Sequence, residues 1–183
     1  KQKERLKDVK MASPDELSEL RSRAKAELPM RLAELASRYG FVYNRVAIKH
    51  NSTNWGSCSS KNNINLNLNI VRLPSVLRDY ILLHELCHLR HHDHGEGFHL
   101  LLEHLLTDNL MRSLADCEAG QSEKGLAEKV GTRNCVGSTE SMTKVETSDA
   151  ELVRSLARKA AVSKARFPID YTLSRAIKQY RLV

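Results

Sequence analysis

Seven of the chain's eight histidines crowd into 21 residues, from His84 to His104, and two of them close the pattern His84-Glu85-Leu86-Cys87-His88. Residues four apart share a face on an α-helix, so helical placement lets both imidazoles bind one ion. Pro74 can open that helix, and Leu77, Tyr80 and Ile81 continue the same face at helical spacing. Glu85 is turned about 100° from His84, near such an ion without having to ligate it. From there it can take a proton from water and later deliver it to a leaving group. Imidazole ligands with an open fourth position define catalytic zinc, so Zn2+ is the expected cofactor. The bland alternative is two histidines in a buried stripe with hydrogen-bonded ring nitrogens. The supply of nearby ligands weighs against it.

A third ligand is needed. His94 follows His88 with five residues between, close enough for a turn to carry it back. The alternatives are His91, one helical turn beyond His88 but further along the axis, and Glu103 on the next helix, with His92 and His99 as further competitors. Spacing favours His94.

Around this segment the chain reads as an α+β domain. Ser13, Pro14 and Glu16 form a capping box that opens a first helix, with Leu17, Leu20, Ala24, Leu28, Leu32, Leu35 and Ala36 on its apolar face. Pro29 should kink it and Gly40 can end it. Phe41 to Ile48 reads as a strand. A small polar loop, Asn54-Trp55-Gly56-Ser57-Cys58, surrounds the only tryptophan. From Asn63 to Ile70 the residues alternate strictly, with Ile64, Leu66, Leu68 and Ile70 on one face and Asn63, Asn65, Asn67 and Asn69 on the other. That is the period of a half-buried strand. Its asparagines are either a solvated face or a hydrogen-bonding row along a cleft, to which Asn67 would belong. Trp55, Gly56 and Ser57 are candidates for the cleft wall, with backbone N–H groups for a developing oxyanion. The alternative for Trp55 is a plug in the core.

A break near His94 and Gly95 precedes a third helix from Phe98 to about Cys117. Residues 118–149 are poor in apolar side chains and are expected to be a flexible linker. A short helix restarts at Ser148, Pro168 interrupts it, and a last helical stretch runs near Thr172 to Tyr180. The expected organisation is therefore a charged lead-in over 1–12, a catalytic domain over 13–117, the linker, and a basic helical segment over 150–183.

Charge separates the same parts. The formal net charge is +7, but residues 1–50 carry +5 and residues 151–183 carry +6, while the middle carries −4. The bland reading of the basic tail is a solvated helix face. No apolar run is long enough to span a membrane, and neither a signal peptide nor a CxxC pair is visible. Reduced cysteines and a cytoplasmic location are the expectation.

Residues 53–103 resemble the YgjP-like metal-dependent hydrolases, relatives of the SprT-like and WLM metallopeptidases. The likeness rests on the loop Trp55-Gly56-Ser57-Cys58-Ser59-Ser60, the asparagine-rich strand, the His84–His88 motif and His94 followed by Phe98. It implies a compact zincin-like fold, with a small sheet packed on the active-site helix and flanking helices. It also implies zinc on His84, His88 and His94, with Glu85 as general base. Two positions depart from the usual pattern: Asn54 stands where Arg is common, and His99 where Trp is common. The family generally has a β-rich N-terminal segment, so the natural protein is expected to be longer.

Three functions follow in order. The first is a zinc metallopeptidase acting on peptide or protein through zinc-activated water. The second is a nucleotide phosphohydrolase on the same site, an activity the resemblance also implies. The third is a DNA-associated SprT-like protease whose basic ends grip phosphates.

Overall fold

The computed structural model describes the backbone of residues 7–8, 13–127 and 140–181, and the side chains of residues 13–116 and 149–180. Along the chain run β1 (Lys7–Asp8), α1 (Pro14–Tyr39), β2 (Arg45–Lys49), β3 (Gly56–Cys58) and β4 (Asn63–Asn67). A 3-10 turn (Leu68–Arg72) leads into α2 (Ser75–Cys87), α3 (Glu96–Ala127), α4 (Glu140–Val162), α5 (Pro168–Ile177) and β5 (Tyr180–Arg181). The class is α+β, with a three-stranded sheet beside the helices.

Helix α1 begins as its capping box dictates. The Glu16 N–H donates to Ser13 Oγ at 3.3 Å, and the Ser13 N–H donates to Glu16 Oε2 at 2.7 Å. Gly40 ends it with φ of 67°, a left-handed conformation that a Cβ would strain. The helix continues through Pro29, because Leu28, Leu32 and Leu35 are buried on either side of it.

The sheet has the order β2-β4-β3. β2 runs parallel to β4 (Arg45 opposite Asn63) and β3 antiparallel to it (Ser57 opposite Asn65). The alternating run is not one strand to Ile70. β4 stops at Asn67, whose side chain accepts the Asn69 N–H at 3.0 Å and turns the chain into the 3-10 turn. A short side chain that bonds its own backbone competes with the ladder, and here it wins. The asparagine face is not a solvated one either, since Asn67 and Asn69 are both buried.

Helix α2 is the centre of the core. Leu77, Leu82, Leu83 and Leu86 are buried against Leu28, Leu32 and Leu35 of α1, Ile64 and Leu66 of β4 and Leu102 of α3 in one cluster. The same cluster takes in Val153 and Leu156 of α4 and Leu173 and Ile177 of α5. Two helix ends are capped from far along the chain. The Ser75 N–H at the start of α2 donates to Asp149 of α4 at 3.2 Å. At the start of α5, the Ile169 and Asp170 N–H groups donate to Glu103 of α3 at 3.0 and 2.8 Å. Both place a carboxylate where the helix dipole favours one.

The segment expected to be a linker carries helix at both ends, with α3 reaching Ala127 and α4 starting at Glu140. Its middle, residues 128–139, lies outside the described residues. Most of the expected lead-in does as well; its Lys7 and Asp8 pair in parallel with Tyr180 and Arg181. No helix among the described residues is long and apolar enough to cross a membrane.

Candidate metal centre

The end of α2 sets the first two imidazoles. His84 lies in the last turn and His88 is the C-cap residue, still in right-handed helical conformation. Their rings are 4.9 Å apart. The chain then turns, and the turn orients His88: its Nδ1 lies 3.0 Å from the His91 carbonyl. A proton on Nδ1 makes that bond and leaves the Nε2 lone pair free for an ion. The turn also returns His94, whose Nε2 comes within 3.1 Å of His84 Nε2. Phe98, buried at the start of α3, forms a floor with its ring 4.7–4.9 Å from all three imidazoles.

Ligand nitrogens of His84, His88 and His94 all lie within 4.8 Å of one another. Tetrahedral zinc with N ligands at about 2.0–2.1 Å separates them by roughly 3.3 Å. The three residues therefore fit a small ion with modest closure of the rings. Burial, and then the neighbouring imidazoles of His88, His94 and His99, lower the His84 pKa to about 3. Burial likewise lowers that of His88. Both rings are thus held neutral, the form that ligates metal.

Glu85 projects beside them, 5 % exposed. Burial alone pushes its carboxyl up to about 8, and its Oε2 is a buried oxygen with no hydrogen-bond partner among the described residues. The backbone of β3 packs directly on this carboxylate. A Cβ at Gly56 would sit 2.5 Å from Glu85 Oε1, so only glycine admits this approach. Gly56, Ser57 and Cys58 form one wall of a cavity of about 300 Å³, and the three histidines, Glu85 and His92 form the other.

Several candidates stand elsewhere. Trp55 is half-buried against the core and outside the cavity lining, and its carbonyl accepts the Asn67 N–H at 2.8 Å. Asn67 does not face the cleft. It is 2 % exposed, and its amide donates to the Asn51 carbonyl (2.7 Å) and the Asn54 carbonyl (3.1 Å). Those bonds hold the loop that leads into β3. Glu103 is not in the cluster because both its oxygens cap α5. His91 contributes its carbonyl, and its ring lies over Gly97. Residue spacing did not single out Cys58 or His92 as lining, nor the contact of Asp170 with His99. Only the repeated histidines around His92 carried a signal for any of these.

Residues 12–113, more than half of the chain, match the family model described as YgjP-like, metallopeptidase domain. The chain belongs to the YgjP-like family. That membership supports a metal-dependent hydrolase, and the histidine cluster offers the metal a place. Among curated proteins and among solved structures, none matches the chain.

Proposed function

We propose that this YgjP-like protein is a zinc-dependent peptidase of zincin-like fold, with His84, His88 and His94 holding the ion and Glu85 as general base. One observation carries the reading: a buried carboxylate with an unpartnered oxygen stands beside three converging imidazoles. Zinc, when bound, supplies a Lewis acid that polarises a carbonyl and makes water more acidic.

The chain's own residues do the rest. Glu85 Oε2, which no donor among the described residues occupies, takes the proton of the attacking water and then gives it to the leaving nitrogen. The β3 wall keeps that carboxylate in place, because Gly56 lets the backbone close over it. The His91 carbonyl orients His88, and Phe98 supports all three rings. The described lining is histidine, small residues and one carboxylate. An uncharged peptide suits it better than a nucleoside triphosphate, whose charge calls for Lys or Arg.

Glu85→Gln is expected to keep one zinc per chain while hydrolysis of a fluorogenic peptide library falls about a thousandfold. Wild-type rates in that variant sink the mechanism. His94→Ala is expected to lower the zinc-to-protein ratio, and an unchanged ratio moves the third ligand elsewhere.

A second reading, the DNA-associated protease, is favoured by a groove of about 590 Å³ between α4 and α5, lined in part by Arg158, Lys159 and Arg175. Salt-sensitive binding of a DNA duplex that disappears on reversing these three charges supports it. No binding at low salt removes it.

A further inference from the structure

Helix α5 lies beyond the residues matched by the family model, yet it reaches the edge of the histidine cluster. Asp170, in its first turn, is 7 % exposed. One carboxylate oxygen lies 2.7 Å from His99 Nδ1, and the other accepts the Tyr80 hydroxyl at 3.1 Å. Phe167, just before α5, stacks on the His99 ring at 5.5 Å with 21° between the planes. The Phe98 ring meets it edge-on at 5.5 Å. Glu103 in turn anchors the start of α5. A ring on α3 is thus held by a carboxylate, a stacked ring and an edge contact.

The ring held in this way stands beside His94, 6.4 Å between centroids. Asp170 occupies Nδ1, so Nε2 is the ring nitrogen left for a ligand. Nε2 has no partner among the described residues and is not among the buried unpaired atoms; the side chain is 35 % exposed. A half-exposed imidazole needs no buried carboxylate to be stable on a surface. Fixing its tautomer and direction is what such a partner achieves.

We propose that His99 is a substrate-contact residue of this site. Held by Asp170, its Nε2 hydrogen-bonds the backbone of an extended peptide that runs past the His94 edge of the cavity, whose own lining does not include His99. Asp170 is then a positioning residue, and α5 completes the site. The proposal rests on the peptidase reading for the kind of ligand, while the placement of His99 does not.

The test uses the zinc-loaded full chain and the fluorogenic peptide library. His99→Ala is expected to raise KM about tenfold, the loss of one hydrogen bond, with kcat and zinc content held. Asp170→Ala is expected to do the same alone and to add nothing in the His99→Ala background. Asp170→Asn is expected to restore KM, because its amide oxygen still accepts from Nδ1–H and its NH2 can donate to the Tyr80 oxygen. Unchanged KM in His99→Ala overturns the proposal. So does an Asp170→Ala effect that persists without His99, which marks a merely structural role.

A second readout is independent of turnover. In zinc-loaded Glu85→Gln, nitrogen-detected NMR of His99 is expected to show an Nε2 signal that moves when the peptide library is added. A shift without any wild-type turnover overturns the peptidase reading and keeps the contact. Turnover without a shift overturns the contact, and neither overturns both.

Discussion

Two carboxylates lie on α2 within two turns of each other, and both are buried: Asp79 at 6 % and Glu85 at 5 % exposure. Their surroundings differ completely. Asp79 receives two bonds from the Arg31 guanidinium, at 2.9 and 2.6 Å, and a third from the Asn109 amide at 2.9 Å. That network ties α1, α2 and α3 together, and it holds the Arg31 guanidinium above its ordinary range, chiefly through the hydrogen bonds to Asp79. Glu85 has an oxygen with no donor among the described residues and faces a cavity. A charge taken out of water costs free energy unless it is paired. One residue has that cost offset by the fold. The other is left ready for a proton, at the expense of stability.

The contrast can be broken first through pH. The Glu85 carboxyl is raised by burial from 4.5 to about 8 in the metal-free protein. Between those values this carboxyl binds more protons in the folded state than in the unfolded one, so its own contribution to stability falls as pH rises, and comparison with Glu85→Gln cancels the opposite contributions of His84 and His88. The contribution is full below about 4.5 and is lost as pH passes about 8. At 1.36 kcal/mol per unit it spans roughly 5 kcal/mol. Melting of chelator-treated wild type and Glu85→Gln should therefore diverge steadily from pH 5 to pH 8, with the wild type losing ground. Parallel curves mean that Glu85 is not held neutral by burial.

Next in size is Arg31→Ala. It strands Asp79 in the core and is expected to cost about 3–5 kcal/mol in urea unfolding. A loss below 1 kcal/mol shows that water reaches Asp79 and that the two carboxylates differ less than their partners suggest.

Gly56→Ala acts on Glu85 without touching its charge. The new Cβ would overlap Oε1, so the carboxylate or β3 must move. A cost of about 1–3 kcal/mol is expected, together with reduced turnover and unchanged zinc content. Wild-type turnover indicates that the β3 wall does not set the position of the base.

The smallest expected effect is for Asn67→Ala, which removes the bonds to the loop before β3 but no charge. About 1–2 kcal/mol is expected by thermal unfolding. A catalytic defect far beyond that stability loss restores Asn67 to the cleft.

Local signals were the legible ones. The capping box at Ser13 and the left-handed Gly40 need only neighbours within a turn, and both are seen where the residues suggest. The spacing of His84, His88 and His94 likewise predicted three imidazoles that the turn does bring together. Strict alternation misled over Asn67 and Asn69, because the period does not reveal a side chain bonding its own backbone. Glu103 was readable as an alternative third ligand on the helix after His94. Its real partners are two backbone N–H groups 66 and 67 residues away.

The sequence by itself determined the family, the three candidate imidazoles and the carboxylate beside them, because a helix and one turn place residues by count alone. Only the tertiary structure decided which buried carboxylate is paired and which is not. It also decided that α5 carries Asp170 to His99. These outcomes depend on donors brought together from distant parts of the chain, and no spacing along the chain encodes how helices pack.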